Sequence, residues 1–495
     1  MGFKVLLIKP NITVRKGFDL QNKIYPPLGL AYLSGSLLEK GYEVRIMDMV
    51  AENPHKVWDY RGTHNCFGAT DSDMIERIKE YAPDVVGITG VTIQYSRMED
   101  MVAAIKASFP DIKVVLGGIH ATSMPELVMS KTQADYIIQG EGERTFAALL
   151  DALRDGRGDD IGNIDGIVYR REGDIVVKPK LYSSEDLDNI PLPARHLLPN
   201  DVYRANNVPM PIITSRGCPH NCAFCCIRLA QGRKWRARNP VKVVDEIEMI
   251  VKGWGYEAIA VFDDAFNVLP ERVIDICREI VRRKLHIHLV VPSSLIIRYI
   301  TKDTLYWLKE AGCVSVALPF EHADETMRNK VIRKGLSTEQ FDNVLLWCME
   351  LELLSIVNFV VGMPGESERS LQVLNEYVRN NAFKMDALSV YIATPFPGTE
   401  FYNECIAGNY LVNPGRNNFI DYDFYECLID TPQLRHEQVN TYKKIIEDTF
   451  NEARGERLSH PYVRKAIRRP DKESLAYVKD IYFREKKLLW EKKRV

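Results

Sequence analysis

Val5-Leu6-Leu7-Ile8 is a short apolar run closed by Lys9-Pro10, and Leu28 to Lys40 carries apolar positions at helical spacing until Gly41 stops it. Further strand patterns follow at Val44-Arg45-Ile46-Met47-Asp48 and Val85-Val86-Gly87-Ile88-Thr89. A helix is predicted from about Met98 to Phe109. Val114-Val115-Leu116 then runs into Gly117-Gly118, and Tyr136-Ile137-Ile138 leads to Gly140-Glu141-Gly142-Glu143 and another helix. Apolar strands alternating with helices predict a parallel sheet covered on both faces. Ligands of such sheets sit at the strands' carboxyl ends, here Thr89-Gly90-Val91-Thr92, Gly117-Gly118-Ile119-His120 and Gly140 to Glu143. Glycine there either admits a bulky ligand close to the backbone or only makes a tight turn, and periodicity does not choose. No Gly-x-Gly-x-x-Gly follows the first strand, which disfavours a nicotinamide or flavin dinucleotide.

Between Asp160 and Asn200 the chain is polar and punctuated by Pro191, Pro193 and Pro199, with a hairpin predicted from Ile167-Val168-Tyr169 to Ile175-Val176-Val177; it reads as a connector. Strand and helix patterns then alternate again. The strands are Ile212-Ile213-Thr214, Ala258 to Phe262, Leu289 to Val291, Val314 to Leu318, Ser355 to Val361 and Ala387 to Tyr391. Six such units suit an open, incomplete parallel barrel with its site at the carboxyl ends. After about Cys405 the pattern is helical, and Lys465 to Val495 is basic with interleaved aromatics, expected to be a solvated helical face. The expected divisions are 1–155, 156–200, 201–404 and 405–495.

The length of 495 residues agrees with two or three domains, and 46% hydrophobic with 27% charged residues is ordinary for a globular protein. A net charge of −2 gives no electrostatic reason to expect nucleic acid as a partner. No run of eighteen apolar residues occurs, and the start reads into a strand instead of a signal peptide, so a cytoplasmic location is expected. Met1-Gly2 does not suggest acylation, because residue 6 is Leu where Ser or Thr is wanted. Ten cysteines in a reducing compartment are no disulfide framework. Cys66, Cys277, Cys313, Cys348, Cys405 and Cys427 are scattered singly, each by default a small buried hydrophobe, but the other four fall within nine residues.

Those four lie in Ser215-Arg216-Gly217-Cys218-Pro219-His220-Asn221-Cys222-Ala223-Phe224-Cys225-Cys226. Thiolates are soft ligands suited to iron-sulfur clusters, and three on one loop hold three corners of a cubane while leaving the fourth iron open. The competing reading is zinc, completed by Cys226 or His220, but zinc normally takes two separated pairs and no second Cys-x-x-Cys follows. Cys226 is then an extra thiol.

The Cys-x-x-x-Cys-x-x-Cys loop closely resembles the signature of the radical S-adenosylmethionine superfamily. Tyr25-Pro26-Pro27-Leu28-Gly29-Leu30, Gly117 to Thr122 and Gly140 to Thr145 together resemble the cobalamin-binding domain that precedes many such enzymes. Thr394-Pro395-Phe396-Pro397-Gly398-Thr399 is similar to the end of the barrel in the cobalamin-dependent members. The resemblance implies an α/β chain: a Rossmann-like, doubly wound cobalamin domain, a partial (β/α)6 barrel of the TIM type and a mostly helical C-terminal region. It implies a [4Fe-4S] cluster on Cys218, Cys222 and Cys225, and S-adenosylmethionine contacts from Phe224, Asp263, Asp264, Glu321, Gly362 and Pro364. Cobalamin contacts are implied at Thr89, Val91, Thr92, Gly117, Gly118, Ile119, Gly140, Glu141 and Gly142. The Asp-x-His-x-x-Gly motif that ligates cobalt from below is absent, so cobalamin without a histidine ligand is expected, and His120 reads as a solvated or hydrogen-bonded turn residue.

The activity so implied is formation of a 5′-deoxyadenosyl radical and methylation of an unactivated carbon of a small-molecule or lipid-like substrate. The rival enzyme reading is ring formation or rearrangement, and the non-enzymatic one a metal-bearing binding protein. Expected partners are an electron donor such as flavodoxin or ferredoxin, and a membrane surface met through the basic C-terminal run.

Overall fold

The apolar run ahead of Lys9 is a strand, β1 (Lys4–Lys9), and its residues from Val5 to Ile8 are buried because it lies inside a sheet. In the computed structural model, which describes residues 2–18, 24–182, 185–412, 419–455 and 473, that sheet has seven strands. The others are β2 (Glu43–Asp48), β3 (Val85–Thr89), β4 (Lys113–Gly117), β5 (Tyr136–Ile138), β6 (Ile167–Arg171) and β7 (Asp174–Val177). Their order is β7-β6-β5-β4-β3-β1-β2, with β1 to β5 parallel. Chain order reverses at β1, which opens a crevice at the carboxyl ends of β1 and β3. The hairpin expected in the connector pairs onto this sheet: Tyr136, Ile137 and Ile138 oppose Tyr169, Val168 and Ile167 in antiparallel register.

A second sheet holds β8 (Met210–Ile212), β9 (Ala258–Val261), β10 (His288–Val291), β11 (Cys313–Glu321), β12 (Leu354–Val361) and β13 (Ala387–Ile392). All six are parallel and neighbours in chain order, the open barrel that the periodicity predicted. Side chains of a strand alternate between faces. Ile259, Val261, Leu289, Val291, Phe320 and Phe359 pack into the large core with the covering helices, where Phe320 stacks on Phe341 at 3.9 Å between ring centres. The opposite, concave face and the carboxyl ends are thereby left for a site.

Buried polar links hold the two sheets together. Lys9 Nζ lies 3.2 Å from Asp48, which also accepts the Tyr203 hydroxyl at 2.7 Å and the Val50 and Ala51 N–H groups. Glu246, on the helix Pro240–Trp254, pairs with Arg195 at 2.6 Å and with Arg238. Burial pushes the Glu246 carboxyl up, but the two guanidinium groups outweigh it and hold the group below its ordinary range. After β13 the described residues include the helices Glu400–Ala407 and His436–Arg454 with irregular chain between. Apart from Glu473, the basic run from Lys465 to Val495 lies outside the described residues. Among the described residues no helix is long and apolar enough to cross a membrane.

Candidate active site

The cysteine loop is braced at its root. Ser215–Arg216 pairs antiparallel with Arg236–Ala237, and this ribbon brackets the loop and the helix Ile227–Gln231. Asp263, the first carboxylate beyond β9, accepts hydrogen bonds from the Thr214 N–H and the Thr214 hydroxyl at 2.6 Å each and from the Ser215 hydroxyl. Both of its oxygens are thus engaged in holding the ribbon. Gly217 has φ +84°, and a β-carbon there would stand 2.4 Å from the Lys234 carbonyl, so the turn into the loop requires glycine. Ala223 N–H donates to the Ile332 carbonyl and Phe401 N–H to the Ala223 carbonyl, fixing the loop to two distant segments.

Cys218, Cys222, Cys225 and Cys226 are all partly exposed, whereas the six scattered cysteines are all buried. Burial raises the thiols of the loop; Cys225 is pushed up to about 12, with Cys226, Cys222 and Cys218 adding to the effect. Lys334 reaches in beside Cys222 with Nζ 2.7 Å from Glu321 Oε1. Burial lowers the Lys334 ammonium, but Glu321 and then Cys222 raise it by more. Glu321 ends β11 where the register with β12 slips, and its φ of +70° lies in a region that side chains other than glycine seldom adopt. That backbone turns the carboxylate to Lys334.

The other strand-end residues are tied in as well. Gly362 N–H donates to Glu366, and His322 Nδ1 accepts the Asp324 N–H at 2.9 Å while its Nε2 lies 3.0 Å from Glu366. Nε2 and the Glu366 oxygen beside it are both buried, in contact but outside hydrogen-bond geometry. Glu366 therefore connects the ends of β11 and β12 and positions the turn through Gly362 and Pro364. Asp264 is pushed up to about 7 by burial and by Asp263, and it stands close enough to Cys218 and Cys226 to raise both thiols further. Phe224 is half-buried against the barrel core.

The carboxyl end of the first sheet opens into a cavity of about 240 Å³. Leu7, Gly87 and Phe146 line its depth, Thr89, Gly117, Gly118, Gly140, Glu141 and Gly142 its mouth, and Ile213, Arg216, Ala230 and Gln231 cross from the second sheet. Val91, Thr92 and Ile119 do not line it. Gly118 has φ +89°, and an added β-carbon would stand 2.5 Å from the Gly90 carbonyl. Gly118→Ala is therefore expected to destabilise the protein by about 1–3 kcal/mol, seen as a lower thermal midpoint. His120 departs from expectation. It is fully buried between Tyr95 and Phe419, with ring centres 4.4 and 4.7 Å away, and neither ring nitrogen has a hydrogen-bond partner. Burial drives its pKa down to about 3, and it does not line the cavity.

The two halves meet at charged side chains, of which the sequence reading singled out Glu141 alone. Arg216 lies 2.7 Å from Glu143 and 3.5 Å from Glu141, Glu141 also pairs with Arg236, and the Arg216 guanidinium sits 5.0 Å from the Tyr32 ring centre. Glu141, read as a cofactor contact, is thus also an anchor for the ribbon under the cysteines.

Comparison with known proteins agrees with this two-part layout. The B12 binding domain model matches residues 22–150 and the Radical SAM superfamily model residues 212–378. The uncharacterized methyltransferase PH0819 of Pyrococcus horikoshii is 31% identical over 427 residues, 86% of this chain and 87% of that protein. The chain belongs to the cobalamin-binding radical S-adenosylmethionine enzyme family. Its cofactors are a [4Fe-4S] cluster, S-adenosylmethionine and cobalamin. The anaerobic magnesium-protoporphyrin IX monomethyl ester cyclase of Rubrivivax gelatinosus is 28% identical over 81% of this chain and 70% of its own length. In fold, the chain is similar to the radical S-adenosylmethionine methyltransferase TsrM of Kitasatospora setae, solved with cobalamin and a [4Fe-4S] cluster. The TM-score is 0.71 at 20% identity over 97% of this chain and all of that one.

The thiols of this family member fit a cluster. A zinc ion about 2.3 Å from each sulfur holds its ligands about 3.8 Å apart. Among the described residues the group of ligating atoms all within 4.8 Å of one another is Asp430, His436 and Glu437, and Cys218, Cys222 and Cys225 are not so gathered. Three soft thiolates on one loop, with Cys222 and Cys218 near enough to raise Cys225, suit three corners of a cubane.

Proposed function

We propose that this chain is a C-methyltransferase in which Cys218, Cys222 and Cys225 hold the cluster and the cavity at the first sheet's carboxyl end holds cobalamin. The carrying observation is adjacency: Arg216 and Gln231, which frame the cysteine loop, form the far wall of the cavity lined by Gly117, Gly118 and Gly140. When bound, the cluster and S-adenosylmethionine supply a 5′-deoxyadenosyl radical, and cobalamin supplies a methyl group, for a carbon that is not nucleophilic. The chain's own part is placement. Cys218, Cys222 and Cys225 leave one iron vertex for S-adenosylmethionine. Glu366 sets the turn at Gly362 and Pro364 against it, and Phe224 offers a flat apolar surface. Lys334 and Asp264 lie beside the cysteines and present a cation and a carboxyl group to the polar end of S-adenosylmethionine. His120, buried and not among the residues that line the cavity, supports cobalamin without a histidine ligand.

Identity with a cyclase over most of the chain favours one second reading, radical ring formation without methyl transfer. A small electron carrier such as flavodoxin or ferredoxin serves as reductant in either case. The test is anaerobic reconstitution with iron, sulfide and hydroxocobalamin, then incubation with S-adenosylmethionine and reductant. 5′-Deoxyadenosine is the expected product, and with a fractionated extract as substrate source a product heavier by one methylene unit is expected. A product lighter by two hydrogens selects the cyclase, and absence of 5′-deoxyadenosine rejects both.

A further inference from the structure

The four charged groups at the junction do more than join two units. Glu141 and Glu143 belong to the turn after β5 whose backbone at Gly140 and Gly142 lines the cavity mouth. Arg216 lies on the ribbon two residues ahead of Cys218, and it too lines the cavity. Both arginines are buried and both carboxylates largely so: side-chain exposure is 7% for Arg216, 6% for Arg236, 13% for Glu141 and 14% for Glu143. Burial raises the Glu143 carboxyl, yet Arg216 holds it below its ordinary range, so the pair is charged. A buried charge left without its partner is strongly unfavourable, which makes the turn and the ribbon move together or not at all. The ribbon's other strand is bound in as well, since Arg216 and Arg236 are register partners and both reach Glu141. A ligand that settles against Gly140 to Gly142 therefore also biases the position of Arg216, and through Gly217 that of Cys218.

We propose that Arg216 is a positioning residue that couples the two cofactor sites: occupancy of the cavity by a corrinoid and assembly of the cluster each change the affinity of the other. The inference rests on the assignment of cobalamin to the cavity and of the cluster to Cys218, Cys222 and Cys225. Linkage requires the effect to be reciprocal, and about tenfold is a typical size. It also assigns Glu143 a purpose beyond an ordinary ion pair, because Glu143 is the nearest carboxylate to Arg216 and shares the turn with the cavity glycines.

The experiment is a hydroxocobalamin titration of the full chain, followed by absorbance, before and after anaerobic reconstitution with iron and sulfide. The two dissociation constants are expected to differ about tenfold in the wild type. In Glu143→Gln the ratio should fall to about one, while the variant still binds both cofactors. If Glu143→Gln fails to fold, as judged by thermal unfolding, Arg216→Lys is read instead. Lysine keeps the charge but loses the planar fork that reaches both carboxylates, so its ratio should fall well below that of the wild type. A ratio of one in the wild type, or a full ratio in the variant that is read, overturns the coupling. A wild type that takes up no corrinoid or no iron instead overturns the functional assignment on which it rests.

Discussion

Cys222→Ala is expected to abolish the iron-sulfur absorbance of reconstituted protein and with it all 5′-deoxyadenosine formation, while a corrinoid band is retained. Three thiolates are the minimum that leaves a single open vertex on a cubane, so loss of one removes the grip on the cluster instead of weakening it. Cys226 does not replace the missing ligand. It caps the helix Ile227–Gln231 and stands outside the Cys-x-x-x-Cys-x-x-Cys spacing that sets the three corners. The corrinoid band survives because the cavity mouth at Gly117, Gly118 and Gly140 takes no atom from Cys222. Iron and sulfide analysis beside the electronic spectrum checks both halves. Iron at wild-type levels in the variant would show that the cluster sits elsewhere. Assembly should also favour alkaline conditions, since burial keeps the loop thiols protonated, Cys225 up to about 12, and each must lose its proton to bind iron.

The cysteines were legible because their chemistry depends on spacing along the chain, and so were both sheets, whose strands are apolar runs that periodicity exposes directly. What sequence did not reveal is held by contacts distant along the chain. The hairpin from Ile167 to Val177 was readable as a hairpin, but its pairing with Tyr136 to Ile138 is a tertiary event without a local mark. A small sheet of Ile12–Arg15, Val57–Tyr60 and His64–Phe67 went unread, for its strands have four residues each and carry His64, Asn65 and Asp59 among the apolar positions. His120 was misread for the same reason. A histidine in a glycine-rich turn looks solvated, but Tyr95 and, from far along the chain, Phe419 close over it. Arg216 stood in the quoted motif, yet its meaning lies in Glu143, 73 positions away. Lys334 had no signature of any kind, being one lysine in an ordinary helix-to-loop segment until folding carries it to Cys222.

That lysine gives the second large effect. Lys334→Met is expected to destabilise the chain by about 3–5 kcal/mol, because it strands the Glu321 carboxylate in a buried site. The strained backbone of Glu321, φ +70°, adds to the loss, since the ion pair is what holds that conformation in place. Glu321→Gln should cost less. The ammonium left behind still faces Cys222 and Cys225, whose thiolates become its counter-charges once iron is bound. The double variant should recover part of the stability lost in Lys334→Met, which a double-mutant cycle by chemical denaturation measures. The sign of the pH dependence is fixed by the raised ammonium. A cation whose folded pKa lies above its ordinary 10.5 stabilises fully below that value and loses its contribution as pH rises through the folded one. The gap between wild type and Lys334→Met should thus be constant near neutrality and narrow above about pH 10.5. A further consequence separates this charge from mere packing. Removing a buried cation beside a cluster makes its reduction harder, so reconstituted Lys334→Met should show a more negative cluster potential than Lys334→Arg, which keeps the charge. Equal potentials in the two variants would mean that Lys334 serves Glu321 alone.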